Sequence, residues 1–85
     1  MNIKLGSVVK SKAGRDKDKF LLVVNIDDKY VYVCDGKERP LNNPKRKNPI
    51  HLQSTKETLS VQSIKSDKEL KKLLKQFNSD LAEGK

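Results

Sequence analysis

The chain has 85 residues, enough for one domain with a small core and no more. At 34% hydrophobic and 35% charged it is polar for a globular domain, yet not polar enough to be disordered throughout. Its net charge of +8 favours polyanionic partners without choosing among RNA, DNA and an anionic membrane.

The longest apolar run, "FLLVV", is far short of a membrane span. No basic stretch followed by an apolar segment opens the chain, so no secretory signal is expected. The lone cysteine, Cys34, cannot staple a small secreted domain, which favours a reducing, cytoplasmic compartment. The charge is uneven. Residues 1–56 carry 13 Lys and Arg against 6 Asp and Glu, whereas residues 57–85 carry 6 against 5. The binding surface is therefore expected in the first two-thirds.

In chain order, residues 5–10 ("LGSVVK") read as a short strand. Residues 19–26 ("KFLLVVNI") read as a second strand, apolar on most positions and so central. Asp27 and Asp28 make the following turn, and "YVYVC" (30–34) alternates as a third strand at hairpin spacing. Asp35-Gly36 closes it with a tight turn. The three prolines of "RPLNNPKRKNP" forbid a helix or a central strand and predict an extended loop. "IHLQS" after it alternates as a further short strand. Four or five such strands predict a small curled antiparallel sheet closed as a barrel.

Residues 57–65 read as a connector, in which "LSV" alternates without anything to pin it. Residues 66–83 predict an amphipathic helix with Leu70, Leu73, Leu74, Phe77 and Leu81 on one face. Ser66 and Glu69 form a capping-box pattern, Asp67 suits the first turn, and Gly84 marks a stop. Lys68, Lys71, Lys72 and Lys75 take the opposite face and are expected to be solvated. The organisation expected is thus a barrel over 1–56, a connector over 57–65 and a helix over 66–83.

Little in the chain suits catalysis. Cys34 and His51 are the single cysteine and histidine, and a cysteine among alternating Tyr and Val is ordinarily structural. Two such ligands are too few for a zinc site, and no phosphate-cradling glycine motif is present. No enzyme, metal or cofactor is expected.

Two basic segments remain. "SKAGRDKDK" (11–19) offers Lys12, Arg15, Lys17 and Lys19, with Lys10 just before it and Gly14 as a backbone pivot. "PKRKNP" (44–49) offers Lys45, Arg46 and Lys47, with Arg39 upstream and His51 downstream. Lysines and arginines on loops suit phosphates as point charges and as forks. Lys45–Lys47 are expected to supply more of the attraction, because Asp16 and Asp18 dilute the first loop. With only Phe20, Tyr30, Tyr32 and Phe77, base stacking is a poorer match than phosphate and shape recognition of structured RNA.

"GSVVKSKAGRDKDKFLLVVNIDDKYVYVCDG" resembles the KOW motif, and "RPLNNPKRKNPIHLQST" is similar to its continuation in short bacterial KOW-domain RNA-binding proteins. These are similar to ribosomal proteins of the L14e/L6e/L27e type. The resemblance covers about residues 5–56 and implies an SH3-like barrel whose Gly14 loop faces RNA. Where many KOW motifs carry a second loop glycine this chain has Asp18, which tolerates a left-handed backbone at modest cost. The fold class expected is mainly β, an SH3-like barrel with a C-terminal helix. The partner expected is rRNA or other structured RNA, with no membrane. The alternative is an adaptor of a transcription or translation complex, using the barrel and the leucine face of the helix on a ribosomal or transcription protein.

Overall fold

The computed structural model describes residues 3–83. Five strands form one antiparallel sheet: β1 (Ser7–Ser11), β2 (Phe20–Ile26), β3 (Val31–Cys34), β4 (Lys45–Lys47) and β5 (Leu52–Thr58). Their order is β4-β3-β2-β1-β5, and helix α1 (Asp67–Glu83) follows. The fold is mainly β, of the small SH3-like barrel type, as expected. Register shifts between Ser7 and Val9 along β5, and between Val23 and Asn25 along β3, bend the sheet.

Two segments differ from expectation. "PKRKNP" contains a strand, because Lys45–Lys47 pair with Val33–Val31. That strand is only three residues long and lies at the sheet edge, where a neighbouring proline is tolerated. Ile50 and His51 are not the start of a strand. Pro49 opens a single 3₁₀ turn, Pro49–His51, and the Asn48 side chain accepts the Ile50 N–H at 3.0 Å. The strand begins at Leu52 and runs on to Thr58, into residues expected to be connector.

Alternation along the central strands divides the core in two. Val9, Leu21, Val23, Val31, Val33 and Leu52 point to the concave side and pack with Ile3. Val8, Leu22 and Cys34 point the other way and meet Ile64, Leu70 and Leu74. This explains the nearly unbroken apolar run of β2, which is buried on both faces. The helix stripe therefore packs on the chain's own sheet. Phe77 joins it with its ring centroid 5.7 Å from that of Phe20. Gly84 lies outside the described residues, as does the side chain of Leu81.

The start of α1 is held from several directions. Ser66 Oγ accepts the Glu69 N–H at 3.2 Å, and Glu69 Oε1 reaches back to the Lys65 N–H at 3.0 Å, a capping box shifted by one residue. Asp67 Oδ1 accepts the Leu41 N–H at 2.6 Å and so ties the helix to the β3–β4 connection. Gly36 completes the contact. Its φ is +80°, and a Cβ there would run into the Asp67 carbonyl oxygen and stand 3.0 Å from the Lys71 nitrogen. Gly36→Ala is expected to cost about 1–3 kcal/mol for the backbone conformation alone. The backbone clash adds to that. Urea unfolding measures the sum, and a loss below 0.5 kcal/mol would contradict this packing.

Candidate nucleic-acid interface

The loop from Lys12 to Lys19 is ordered by its own backbone. Ser11 N–H bonds Lys19 O at 2.9 Å, Asp18 N–H bonds Ser11 O at 2.7 Å, and Lys17 N–H bonds Gly14 O at 3.2 Å. Gly14 has φ +87° with open space around it, so conformation rather than crowding calls for glycine there. Asp18 takes φ +72°, the left-handed state that its place in the motif predicted it could reach. Lys12, Arg15, Lys17 and Lys19 are all exposed along this loop. Lys10 is half-buried, with its ammonium 4.0 Å from Asp18.

The second basic segment does not act as a block, because its three side chains go three ways. Lys47 turns inward and is 8% exposed. Its ammonium donates to Asp16 Oδ1 at 2.9 Å, Ser11 Oγ at 2.7 Å and the Ala13 carbonyl at 3.1 Å. Those three bonds use all three of its donors. Lys47 is therefore a strut under the first loop, and the expectation that Lys45–Lys47 together supply the attraction is corrected. Burial alone would raise the Asp16 pKa. The Lys47 ammonium and the Ser11 hydroxyl outweigh burial and hold it below its ordinary value.

Arg46, on the opposite side of β4, lies 4.7 Å above the Tyr30 ring. Nearby, the Tyr32 hydroxyl donates to Asp27 Oδ2 at 2.7 Å, which lowers the Asp27 pKa and raises that of Tyr32. Arg46 thus belongs to the β2–β3 turn, away from the Gly14 loop.

Lys45, by contrast, shares a shallow cleft with Arg15 and Arg39. Arg39 is placed there by the Asp35 turn, in which Asp35 Oδ1 accepts the Lys37 and Arg39 N–H groups at 2.8 and 2.9 Å. Asp16, Asp35 and Glu38 line the same cleft and moderate its charge. His51 is exposed beside the loop, since its carbonyl accepts the Lys12 N–H at 2.7 Å. The structure therefore gathers Lys12, Arg15, Arg39, Lys45 and His51 around the Gly14 loop, uses Lys47 to hold that loop, and sends Arg46 elsewhere.

A second groove, not legible in the sequence, lies between α1 and the barrel. Lys19 and Lys37 face Lys71 and Lys75 of α1 across a floor that includes Leu74 and Asn78. These lysines come from three separate segments, so no local pattern announces them. They also show that the lysine face of the helix does not simply turn away from the barrel.

Cys34 is fully buried under α1. Burial, reinforced by the charges of Asp35 and Asp67, pushes its thiol up to about 12. It is a packing residue and not an activated nucleophile. Among the described residues no cluster of side chains could hold a metal ion, and no helix is long and apolar enough to cross a membrane.

A barrel with two basic segments clasped together at its rim defines a class, the small basic β-barrel proteins. No protein-family model matches the chain. It is similar to the large ribosomal subunit protein eL14 of Saccharolobus solfataricus, with 31% identity over 77 residues that span 89% of this chain and 80% of that protein. The chain belongs to the eL14 family of large ribosomal subunit proteins.

Proposed function

We propose that this protein is a ribosome-associated, non-enzymatic RNA-binding protein of the cytoplasm, with rRNA and neighbouring ribosomal proteins as its partners. In this reading the Gly14 loop is a KOW-type loop. Lys10, Lys12, Arg15, Lys17, Lys19, Arg39, Lys45 and His51 meet backbone phosphates of structured RNA, and released counterions supply much of the affinity. Membership of the eL14 family supports the assignment. The observation that carries it is the Lys47 clasp. It links β4 to the Gly14 loop through Asp16 and Ser11, and the half-buried Lys45 beside it shares a cleft with the exposed Arg15 and Arg39.

The adaptor reading draws no support from the helix, because Leu70 and Leu74 are already buried against the chain's own sheet. If five or six phosphates are engaged, log K should fall against log salt with a slope of about −4 to −5. The triple variant Arg15→Gln, Arg39→Gln, Lys45→Gln should weaken binding to a structured rRNA fragment and make that slope shallower by about 2–3. Filter binding from 50 to 300 mM salt measures both (roughly the range in which such contacts are screened). An affinity independent of salt, or untouched by the triple variant, would overturn the reading.

A further inference from the structure

We propose that the groove between α1 and the barrel is a second strip for an RNA backbone, adjoining the Gly14 loop at Lys19 and extending along the helix. The inference rests on the RNA-binding reading above and extends it to the helix. Lys19 and Lys37 line one wall, Lys71 and Lys75 the other. Among the described residues Asp35 is the one acidic side chain lining it, so the groove is more positive than the Arg15–Arg39 cleft, where three acids face three cations.

The walls are held at a fixed spacing. At one end Asn78 Oδ1 accepts the Phe20 N–H at 3.1 Å, fastening the helix next to Lys19. At the other, Asp67 Oδ1 takes the Leu41 N–H, and Gly36 lets the turn carrying Lys37 press against the Lys71 backbone. A groove fixed in this way loses little freedom when a ligand enters.

The chemistry favours phosphate. Lys71 and Lys75 stand one helical turn apart, and like charges at that spacing weaken a helix. Among the described residues none of the four lysines makes an ion pair. Their mutual repulsion is left for an outside anion to relieve. Leu74 at the floor is 2% exposed, so the apolar surface of the groove comes chiefly from the carbon stems of its lining lysines, with no accessible apolar side chain to anchor an amphipathic peptide or lipid chains. A chain of phosphates asks only for spaced point charges, which lysine supplies.

The test is the double variant Lys71→Gln, Lys75→Gln, in which glutamine keeps helix propensity. Circular dichroism should show unchanged helix. Affinity for a structured rRNA fragment should fall, with the salt slope shallower by about 1.5–2. Combined with the Arg15, Arg39 and Lys45 substitutions, the losses in log K should add, as for separate sites. Unchanged affinity and slope in the helix variant, with the cleft variant still impaired, would overturn the groove and leave the RNA-binding reading standing. If neither variant alters RNA binding, both fall. If the helix lysines prove necessary for binding an acidic protein or anionic vesicles but not RNA, the groove's assignment to RNA is overturned.

Discussion

Lys47→Met is expected to destabilise the protein by about 3–5 kcal/mol, the range for removing one partner of a buried ion pair. A domain of this size has a total stability of roughly 4–13 kcal/mol, so the variant should be at the edge of folding. The loss comes mainly from what is left behind. Asp16 is 9% exposed and would keep its charge without the ammonium, while the Ala13 carbonyl would lose that donor. Removing both charges together, Asp16→Leu with Lys47→Met, should recover much of the loss, because an apolar pair avoids the desolvation of two ions.

The pH dependence has a definite sign. Asp16 has a folded pKa below its ordinary value of 3.8, so its contribution to stability is fully present well above that value. It is lost as pH falls through 3.8 and on through the lowered folded value. In Lys47→Met the ammonium that does most to lower that pKa is gone, so burial is opposed chiefly by the Ser11 hydroxyl and the pKa lies higher than in the wild type. The stability gap between wild type and variant should therefore narrow between pH 7 and pH 3.5. Urea titrations at the two pH values measure the gap, and a constant or widening one would contradict the clasp. The same geometry warns against reversing Lys45 and Lys47 together as an RNA-binding test. A glutamate at 47 would face Asp16 in a buried site, and binding would be lost with the fold.

Leu70→Ala is expected to cost about 2–5 kcal/mol, because the side chain is fully buried between α1 and the outer face of the sheet. The cavity should loosen the helix before the barrel, since the concave core of Val9, Leu21, Val23, Val31 and Val33 does not touch it. Cys34 provides the reporter. In the native protein its thiol is buried and unreactive, whereas release of α1 uncovers it. Thiol labelling should become fast in Leu70→Ala at urea concentrations that leave the far-ultraviolet β signal intact. Labelling that tracks only global unfolding would mean that helix and barrel are one cooperative unit.

Much of the fold was legible because it depends on local periodicity. The alternation in "YVYVC", the apolar density of "FLLVV" and the i, i+3, i+4 leucines each place an element within a few residues of where it lies. The misplacements come from competing local chemistry. Asn48 and Pro49 divert Ile50 and His51 into a turn, and edge pairing with β3 turns a proline-flanked loop into β4. The candidate site was legible only as composition. Which lysines face outward is decided by contacts between distant residues, such as Lys47 with Asp16, and no spacing rule encodes those. The aspartates of the first loop looked like a dilution of its charge. One of them instead forms the seat of the strut.

The position of β1 has a consequence for the order of assembly. It precedes the other four strands of the sheet in the chain, yet it lies between β2 and β5, with Val8 opposite Leu22 on one side and Ser11 opposite Leu52 on the other. The β1–β2–β3 meander uses contacts that are close in sequence and can form as soon as those residues exist. Closing β1 against β5 joins distant parts of the chain and bears the larger loop entropy. The clasp from Ser11 to Lys47 belongs to that later step. The rim of the barrel therefore gains its shape last, after the sheet that supports it.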